Sequence, residues 1–302
     1  MASRSSISFP SGGSECAAWA FRPEAERPPV VILGHGLGAT REMRLEAYAT
    51  RFAEAGIAAF AFTYRHFGDS GGQPRQLLDI GHQLEDWAAA LRYVRGLPDV
   101  DTGRIAIWGS SFGGGHVLEI AARDAGVAAV VSQNPFTDGP ASVLAANRLS
   151  LIRATVPALR DEVARLTGSA PVLVPVVGPP GSAALMATDD AESGYLGIVP
   201  PELDFVNGVA ARFLLRVGLY RPGRAARRVK VPILFCLCEH DSVAPAAATR
   251  RYARKAPRAE VKSYPIGHFE IYSGPGFEQA VADQTGFLER HLRPGAQDAH
   301  IP

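Results

Sequence analysis

Short apolar segments alternate with amphipathic segments along most of the chain, and this alternation limits the folds available to it. Candidate strands lie at residues 7–10, 16–21, 30–33, 57–62, 104–108, 127–132, 231–238 and 261–264. Candidate helices, with apolar residues three or four apart, lie at 41–55, 77–95, 111–123, 245–255 and 277–291. Short apolar runs suit strands covered on both faces, and intervening helices favour βαβ units. We therefore predict an α/β fold with a mostly parallel sheet flanked by helices.

Composition and charge narrow the class of protein. The chain has 302 residues, of which 47% are hydrophobic and 20% charged, as in an ordinary globular protein. Its net charge of +1 argues against a dedicated nucleic-acid binder. The N-terminal segment lacks the apolar core of a secretory signal, and no stretch approaches the length of an apolar membrane span. With only Cys16, Cys236 and Cys238 as cysteines, we expect a protein of the reducing cytoplasm.

The alternation breaks between residues 139 and 228. Helices are predicted at 145–166 and 203–216, whereas the proline-rich segment 171–181 is unsuited to a regular helix. We therefore predict an α/β core made of residues 1–138 and 229–302, with residues 139–228 inserted as a helical cap over the strand ends. A second independent domain is the alternative, but the apolar segments of this region are short and scattered.

The motif Gly109-Ser110-Ser111-Phe112-Gly113 stands between a predicted strand and a predicted helix. A serine on such a tight turn has a strained backbone, which requires small residues two positions before and after it. The turn would lift the Ser111 hydroxyl out of the sheet and set a helix N-terminus beneath the reacting carbon. Ser110 has no glycine at either position. We therefore predict that Ser111 is a nucleophile.

A serine nucleophile needs a base, and the base needs an acid that orients it. In this architecture the chain order is serine, acid, histidine. Asp241 follows the predicted strand 231–238, at the strand end where sites of open α/β sheets form, and is our predicted acid. Asp138 is the alternative acid. His268, after the last predicted strand, is our predicted base.

The loop Gly34-His35-Gly36-Leu37-Gly38 follows the first buried strand directly. This loop supplies one backbone N–H of an oxyanion hole in such a fold, and the residue after the nucleophile supplies the other. We therefore predict that the backbone N–H groups of Leu37 and Phe112 hold the oxyanion, and that His35 braces the loop. The candidate pocket residues are His35, Tyr64, Phe67, Ser110, Phe136 and Phe269.

Taken together, these motifs resemble the α/β-hydrolase superfamily. The matching residues are His35-Gly36, the turn around Ser111, Asp241 with Pro245 behind it, and Gly267-His268. The resemblance implies an α/β-hydrolase fold with an eight-stranded sheet and an inserted cap. Segments 64–76 and 176–181 are similar to a branch with dienelactone-hydrolase-like and X-prolyl-peptidase-like members, which also includes polyketide transferases and thiohydrolases. Dienelactone hydrolases proper use a cysteine nucleophile, and haloalkane dehalogenases and epoxide hydrolases use aspartate, whereas this chain has serine.

We expect acyl-enzyme chemistry on an ester or thioester of an apolar acyl or polyketide-like small molecule. Non-hydrolytic acyl transfer, lactonisation and carbon–carbon bond chemistry would use the same residues, so these alternatives stay open. A peptidase would need a charge to fix a substrate terminus, for which the cap offers only Asp189, Asp190 and Glu192. A binding protein on a disabled hydrolase scaffold is disfavoured, since such proteins usually lose one of the three catalytic residues.

No metal cluster, phosphate loop or dinucleotide fingerprint is evident, so we predict no cofactor. A metal site made of Cys236, Cys238 and His240 would lack a fourth ligand at suitable spacing. The expected partner is a small-molecule acyl substrate, with no nucleic acid and no membrane. A homodimer through the cap or the sheet edge stays open.

Overall fold

The computed structural model describes residues 3–294 of the chain. Within them, the strands are β1 (Ser3–Ser11), β2 (Ser14–Arg22), β3 (Val30–Gly34), β4 (Ala58–Phe62), β5 (Ile105–Ser110), β6 (Ala129–Gln133), β7 (Leu173–Val174), β8 (Val209–Ala210), β9 (Ile233–Cys238) and β10 (Ala259–Tyr264). The helices are α1 (Leu45–Glu54), α2 (Ile80–Arg95), α3 (Phe112–Ala121), α4 (Gly139–Ala145), α5 (Arg148–Thr167), α6 (Ala191–Leu196), α7 (Leu214–Val217), α8 (Ala246–Ala253) and α9 (Gly274–His291).

Eight of these strands form one sheet in the order β1-β2-β4-β3-β5-β6-β9-β10. The pairs β1–β2 and β2–β4 are antiparallel, and every other neighbouring pair in this sheet is parallel. Every residue of β3, β4, β5, β6 and β9 is buried, because helices cover both faces of the sheet. The predicted α/β fold with a mostly parallel, eight-stranded sheet is therefore confirmed.

The parallel strands all point the same way, so the loops that follow them meet at one edge of the sheet. The loops after β3, β5 and β6 carry Leu37, Ser111 and Asn134, and the loops after β9 and β10 carry Asp241 and His268. Residues far apart in the chain are brought together by this topology alone, at the edge where open α/β sheets hold their sites.

Residues 139–228, for which we keep the name cap, contain helices α4 to α7 and a small antiparallel sheet of β7 and β8. The predicted helix over 145–166 corresponds to the end of α4 and most of α5. The predicted helix over 203–216 is wrong for most of its length, since only α7 and the short 3₁₀ helix Ala211–Phe213 are helical there. Val209 and Ala210 pair with β7 instead, after a segment that ends in Gly208.

A buried carboxylate holds the cap segments to one another. Asp161, in α5, accepts hydrogen bonds from the backbone N–H of Arg212, from the Arg212 guanidinium at 2.8 and 3.0 Å, and from the backbone N–H of Val172. Asp161 is fully buried and Arg212 is 5% exposed. This one side chain therefore ties α5 to the segments that carry β7 and β8.

Candidate active site

Ser111 has the strained backbone that its position between β5 and α3 requires, with φ 53° and ψ −114°. The turn is so tight that a Cβ at residue 109 would lie 2.2 Å from the carbonyl oxygen of Gly113. A Cβ at residue 113 would lie 2.5 Å from the carbonyl oxygen of His35. Glycine is therefore required two positions before and two positions after the serine, which is the physical basis of the motif.

The structure brings Ser111, His268 and Asp241 into one hydrogen-bonded chain. His268 Nε2 lies 3.0 Å from Ser111 Oγ, and His268 Nδ1 lies 2.6 Å from Asp241 Oδ2. The other carboxylate oxygen of Asp241 accepts the backbone N–H groups of Val243 and Ala244, at 2.9 and 2.6 Å. All three side chains are at least nine-tenths buried, so the imidazole is fixed between a hydroxyl and an immobilised carboxylate.

Asn134 supports the loop that carries His268, although the sequence did not single it out. Its Nδ2 donates to the backbone oxygen of His268 at 3.0 Å, and its Oδ1 accepts from the Ser110 hydroxyl at 2.9 Å. Ser110 Oγ in turn lies 2.6 Å from the hydroxyl of Tyr272. Asn134 has φ 30°, in the left-handed region that asparagine tolerates better than most residues. Its position directly after β6 is the one feature of the sequence that could have pointed to Asn134.

The loop after β3 lies against the nucleophile. A Cβ at Gly36 would be 3.2 Å from Ser111 Cβ, so a larger residue there would crowd the serine. The backbone oxygen of Leu37 accepts the Tyr195 hydroxyl of α6 at 3.0 Å, which ties the loop to the cap. Phe112 is the first residue of α3, so its N–H has no acceptor within the helix. Leu37 lines both cavities that contain Ser111, and the assignment of the Leu37 and Phe112 N–H groups as oxyanion donors stays a prediction.

His35 is buried beneath the loop and bonded at both ring nitrogens. Its Nδ1 lies 2.9 Å from the backbone oxygen of Gly36, and its Nε2 lies 3.2 Å from the backbone nitrogen of Tyr64. Burial lowers the pKa of His35 to about 3. A neutral ring that donates through Nδ1 and accepts through Nε2 satisfies both contacts. His35 thus joins the loop after β3 to the loop after β4.

Two cavities meet at Ser111, and Leu37 and Met186 border both. The first, the His268 cavity, has about 460 Å³ of space, part of it open to solvent, and its lining includes His268, Phe269 and Tyr272 among mainly apolar side chains. The second, the Phe112 cavity, has about 730 Å³ of space, part of it open to solvent. Its walls are mainly apolar side chains of the core and the cap: Phe112, Phe136, Val143, Leu151, Leu185, Phe213, Leu214, Val217 and Val243.

Comparison with known proteins assigns the family. A family model described as serine aminopeptidase, S33, a group of α/β-hydrolases, matches residues 25–186, which is more than half of the chain. The chain belongs to this family. The hydrolase is 50% identical to the quorum-quenching protein AidA of Acinetobacter baumannii, over 94% of each chain. It is 24% identical to polyketide transferase af380 of Aspergillus fumigatus, over 96% of this chain and 99% of the relative.

A solved structure has the same fold. The α/β-hydrolase GrgF from Penicillium superposes with a TM-score of 0.80 at 24% sequence identity, covering 96% of this chain and 99% of that one. The resemblance to α/β-hydrolases drawn from the sequence motifs is therefore confirmed, and the protein is an enzyme of that superfamily.

The pocket residues predicted for the hydrolase divide into two groups. His35, Ser110 and Phe269 line the His268 cavity, and Phe136 lines the Phe112 cavity. Tyr64 and Phe67 line neither, which corrects our expectation for them. The Tyr64 ring packs 4.5 Å from that of His35 and its hydroxyl accepts the indole N–H of Trp87. Phe67 faces a separate surface depression beside Thr40 and Arg75.

The alternative acid, Asp138, has other partners. It accepts a hydrogen bond from the backbone N–H of Ala141 at the start of α4, and its Oδ2 binds Arg221, Arg251 and the Tyr252 hydroxyl. A carboxylate shared among two guanidinium groups and a phenol holds α4 and α8 together. Its contacts therefore differ from those of Asp241, which reaches the His268 imidazole.

In residues 3–294, no group of three or more His, Cys, Asp and Glu side chains converges as metal ligands would. Cys236 is buried in β9, and burial raises the pKa of its thiol to about 12, which keeps it protonated and unreactive. No helix in this range is both long enough and apolar enough to cross a membrane.

Proposed function

We propose that the protein is a serine hydrolase that cleaves an ester or thioester of a small molecule with an apolar acyl chain. The observation that carries this proposal is the hydrogen-bonded chain of Ser111, His268 and Asp241, at the junction of two cavities. A serine bonded to an imidazole that is itself bonded to a buried carboxylate is the arrangement that activates a hydroxyl for acyl transfer.

In the first half-reaction, Ser111 Oγ attacks the acyl carbonyl carbon while its proton passes to His268 Nε2. Asp241 accepts the Nδ1 hydrogen of His268 and stabilises the imidazolium. The carbonyl oxygen gains the negative charge and accepts hydrogen bonds from the backbone N–H groups of Leu37 and Phe112. The tetrahedral intermediate then collapses, and His268 returns the proton to the departing oxygen or sulfur. The products are the free alcohol or thiol and acyl-Ser111.

In the second half-reaction, a water molecule gives a proton to His268 and attacks acyl-Ser111. The same two N–H groups stabilise the second oxyanion, and His268 protonates Ser111 as the acid leaves. Because the chemistry of both halves uses the same residues, a variant that removes one of them should lower both acylation and deacylation.

We assign the acyl chain to the Phe112 cavity, because its walls are mainly hydrocarbon. Burial of each methylene in such a cavity contributes about 0.8 kcal/mol, so affinity should rise with chain length until the cavity is full. The similarity to a quorum-quenching protein supports a diffusible acylated signal as the substrate. Signals of this kind that carry a lactone would be opened by the same attack on the ester carbonyl.

Acyl transfer to an alcohol is the second candidate function, favoured by the His268 cavity. This cavity adjoins the base, so an alcohol bound there would stand where it can replace water in the attack on acyl-Ser111. The similarity to a polyketide transferase also supports acyl transfer. A peptidase is less well supported, since the cap acids Asp189, Asp190 and Glu192 line neither cavity.

The test is a substrate series in which p-nitrophenyl esters, N-acyl homoserine lactones and acyl thioesters each run from acetyl to dodecanoyl. We expect kcat/KM to rise with chain length in at least one series. Val143→Trp, which narrows the Phe112 cavity, should lower kcat/KM for long chains about tenfold and leave acetyl esters nearly unchanged. Val206→Trp, a half-exposed position outside both cavities, is the matched control.

Transfer is distinguished from hydrolysis by product analysis with an added alcohol. If the acyl group appears mainly as a new ester although water is in large excess, transfer is the activity. Absence of turnover with every member of the series, with a folded protein, would contradict the assignment of an acyl substrate.

A further inference from the structure

Helix α5 of the cap carries a row of apolar side chains on its outer face. The row, called here the α5 stripe, consists of Leu149, Ile152, Val156, Leu159, Val163 and Leu166, each 47–70% exposed. Single exposed apolar residues are ordinary, but a continuous row of six over five turns of helix is not. Within residues 3–294, each of these side chains keeps about half or more of its surface exposed.

The spacing of the stripe indicates what kind of surface would cover it. Its members are separated by three, four, three, four and three residues, which is the alternating spacing of the core positions in helices that pack side by side. A stripe with only these two positions per heptad is a narrow helix–helix seam. Helices that lie on membranes instead have a broad apolar face with Trp or Phe, and the stripe has neither.

The opposite face of α5 packs against the protein core, so the stripe is not the face that this helix buries within its own chain. Ser150, Ala154, Ala158 and Asp161 are buried against the protein. Asp161 makes the four hydrogen bonds to Val172 and Arg212 described above. Rotation of α5 to bury the stripe would break these bonds and leave two charges without partners, at a high energetic cost. The stripe therefore stays on the surface of a single chain.

We propose that the α5 stripe is the interface of a homodimer, in which α5 packs against α5 of a second copy across a two-fold axis. The stripe is symmetric about its centre, so an antiparallel pair sets Leu149 opposite Leu166, Ile152 opposite Val163, and Val156 opposite Leu159. A two-fold interface must be self-complementary in this way. Three pairs of apolar side chains then lie on each side of the two-fold axis, and every stripe residue faces another apolar residue.

The area and the flanking charges fit this arrangement. The stripe presents roughly 600 Å² of apolar surface per chain, which gives about 1,200 Å² over two chains, the lower end of the range for stable dimers. Two of the four arginines of α5 bond within their own chain: Arg153 donates to the backbone oxygen of Gly181 at 2.5 Å, and Arg165 pairs with Glu162 at 2.7 Å. The charges of Arg165 and Glu162 offset each other.

The test is the mass of the full chain in solution, by sedimentation equilibrium over a range of concentrations. We expect twice the 32.1 kDa of one chain. Leu159→Glu sets a carboxylate near the two-fold axis and should raise the dimer dissociation constant more than tenfold. Val261→Glu, which puts the same charge on the exposed sheet-edge strand β10, is the matched control and should leave the dimer intact.

If Leu159→Glu folds poorly, disulfide cross-linking tests the same interface. The double variant Val156→Cys/Leu159→Cys should form a covalent dimer under mild oxidation, since the native cysteines are all buried. A wild-type chain that stays monomeric at every concentration overturns the proposal, as does a dimer broken by Val261→Glu instead of Leu159→Glu. Monomers that bind phosphatidylcholine vesicles through Leu159 would assign the stripe to a lipid surface and would also overturn it.

Discussion

At the scale of single residues, Asn134 connects the nucleophile turn to the base. It accepts from Ser110, the neighbour of Ser111, and donates to the backbone of His268. The imidazole is therefore positioned from two sides, by Asp241 at the ring and by Asn134 at the main chain. Asn134 touches neither substrate cavity, so it acts through His268 and its effect should appear in the rate of the chemical step.

Asn134→Ala is expected to lower kcat about tenfold with little change in KM, because His268 loses one of its supports. In Asn134→Asp, a carboxylate would lie near His268 Nδ1, which is 3.3 Å from the native amide nitrogen. The carboxylate cannot donate to the His268 backbone oxygen, so kcat should fall as it does in Asn134→Ala. Steady-state kinetics measures kcat and KM of both variants. An unchanged kcat in Asn134→Ala would refute the positioning role.

Some residues of the site could be predicted from the sequence, and others could not. Ser111 and its flanking glycines were predictable, because the strain of one turn is a local property. Asp241 and His268 were predictable from their order along the strands. Asn134 and Tyr195 were not, because their roles arise only when β6 and the cap are brought beside loops distant in the chain.

At the scale of elements, the cap depends on one buried ion pair. Asp161 joins α5 to the segments around β7 and β8 through four hydrogen bonds. These two strands are only two residues long and carry no periodic pattern, which is why the sequence suggested helix over residues 203–216. The pairing of Val209 and Ala210 with β7 is a tertiary contact that overrides the local preference.

Asp161→Ala is expected to destabilise the protein by about 3 kcal/mol, because it leaves the buried Arg212 guanidinium without a counter-charge. The neighbouring change Glu162→Ala removes a more exposed pair with Arg165 and should destabilise the protein much less. Urea denaturation gives both values, and limited proteolysis should cut the cap of the Asp161 variant first. Equal effects of the two substitutions would contradict the importance of the buried pair.

At the scale of the whole molecule, the buried histidines His35 and His116 stay neutral in the folded chain. His116 lies between Gln83 of α2 and the Tyr220 hydroxyl, at 2.8 Å from each. Burial lowers the pKa of His116 and of His35 to about 3 from the ordinary 6.5. Between these values the unfolded chain binds protons that the folded chain does not. Stability is therefore complete above about pH 6.5 and is lost as the pH falls towards 3.

Because of each of these histidines, the free energy of unfolding should be about 2 kcal/mol lower at about pH 5 than at neutral pH. His116→Gln removes one titrating group and keeps a side chain able to hydrogen bond, so its stability should fall about 2 kcal/mol less over the same pH range. Urea denaturation of both proteins at the two pH values measures the difference. If the wild type and the variant lose the same stability, protonation of His116 does not contribute.

The central claim is that Ser111 is an activated nucleophile, and the intact mass of the protein after reaction with a fluorophosphonate tests it most directly. We predict one covalent adduct per wild-type chain. We predict no adduct with Ser111→Ala, and an adduct that still forms with Ser110→Ala, in which the adjacent serine is removed. An adduct that persists in Ser111→Ala, or a folded wild-type chain that never reacts, would contradict the account.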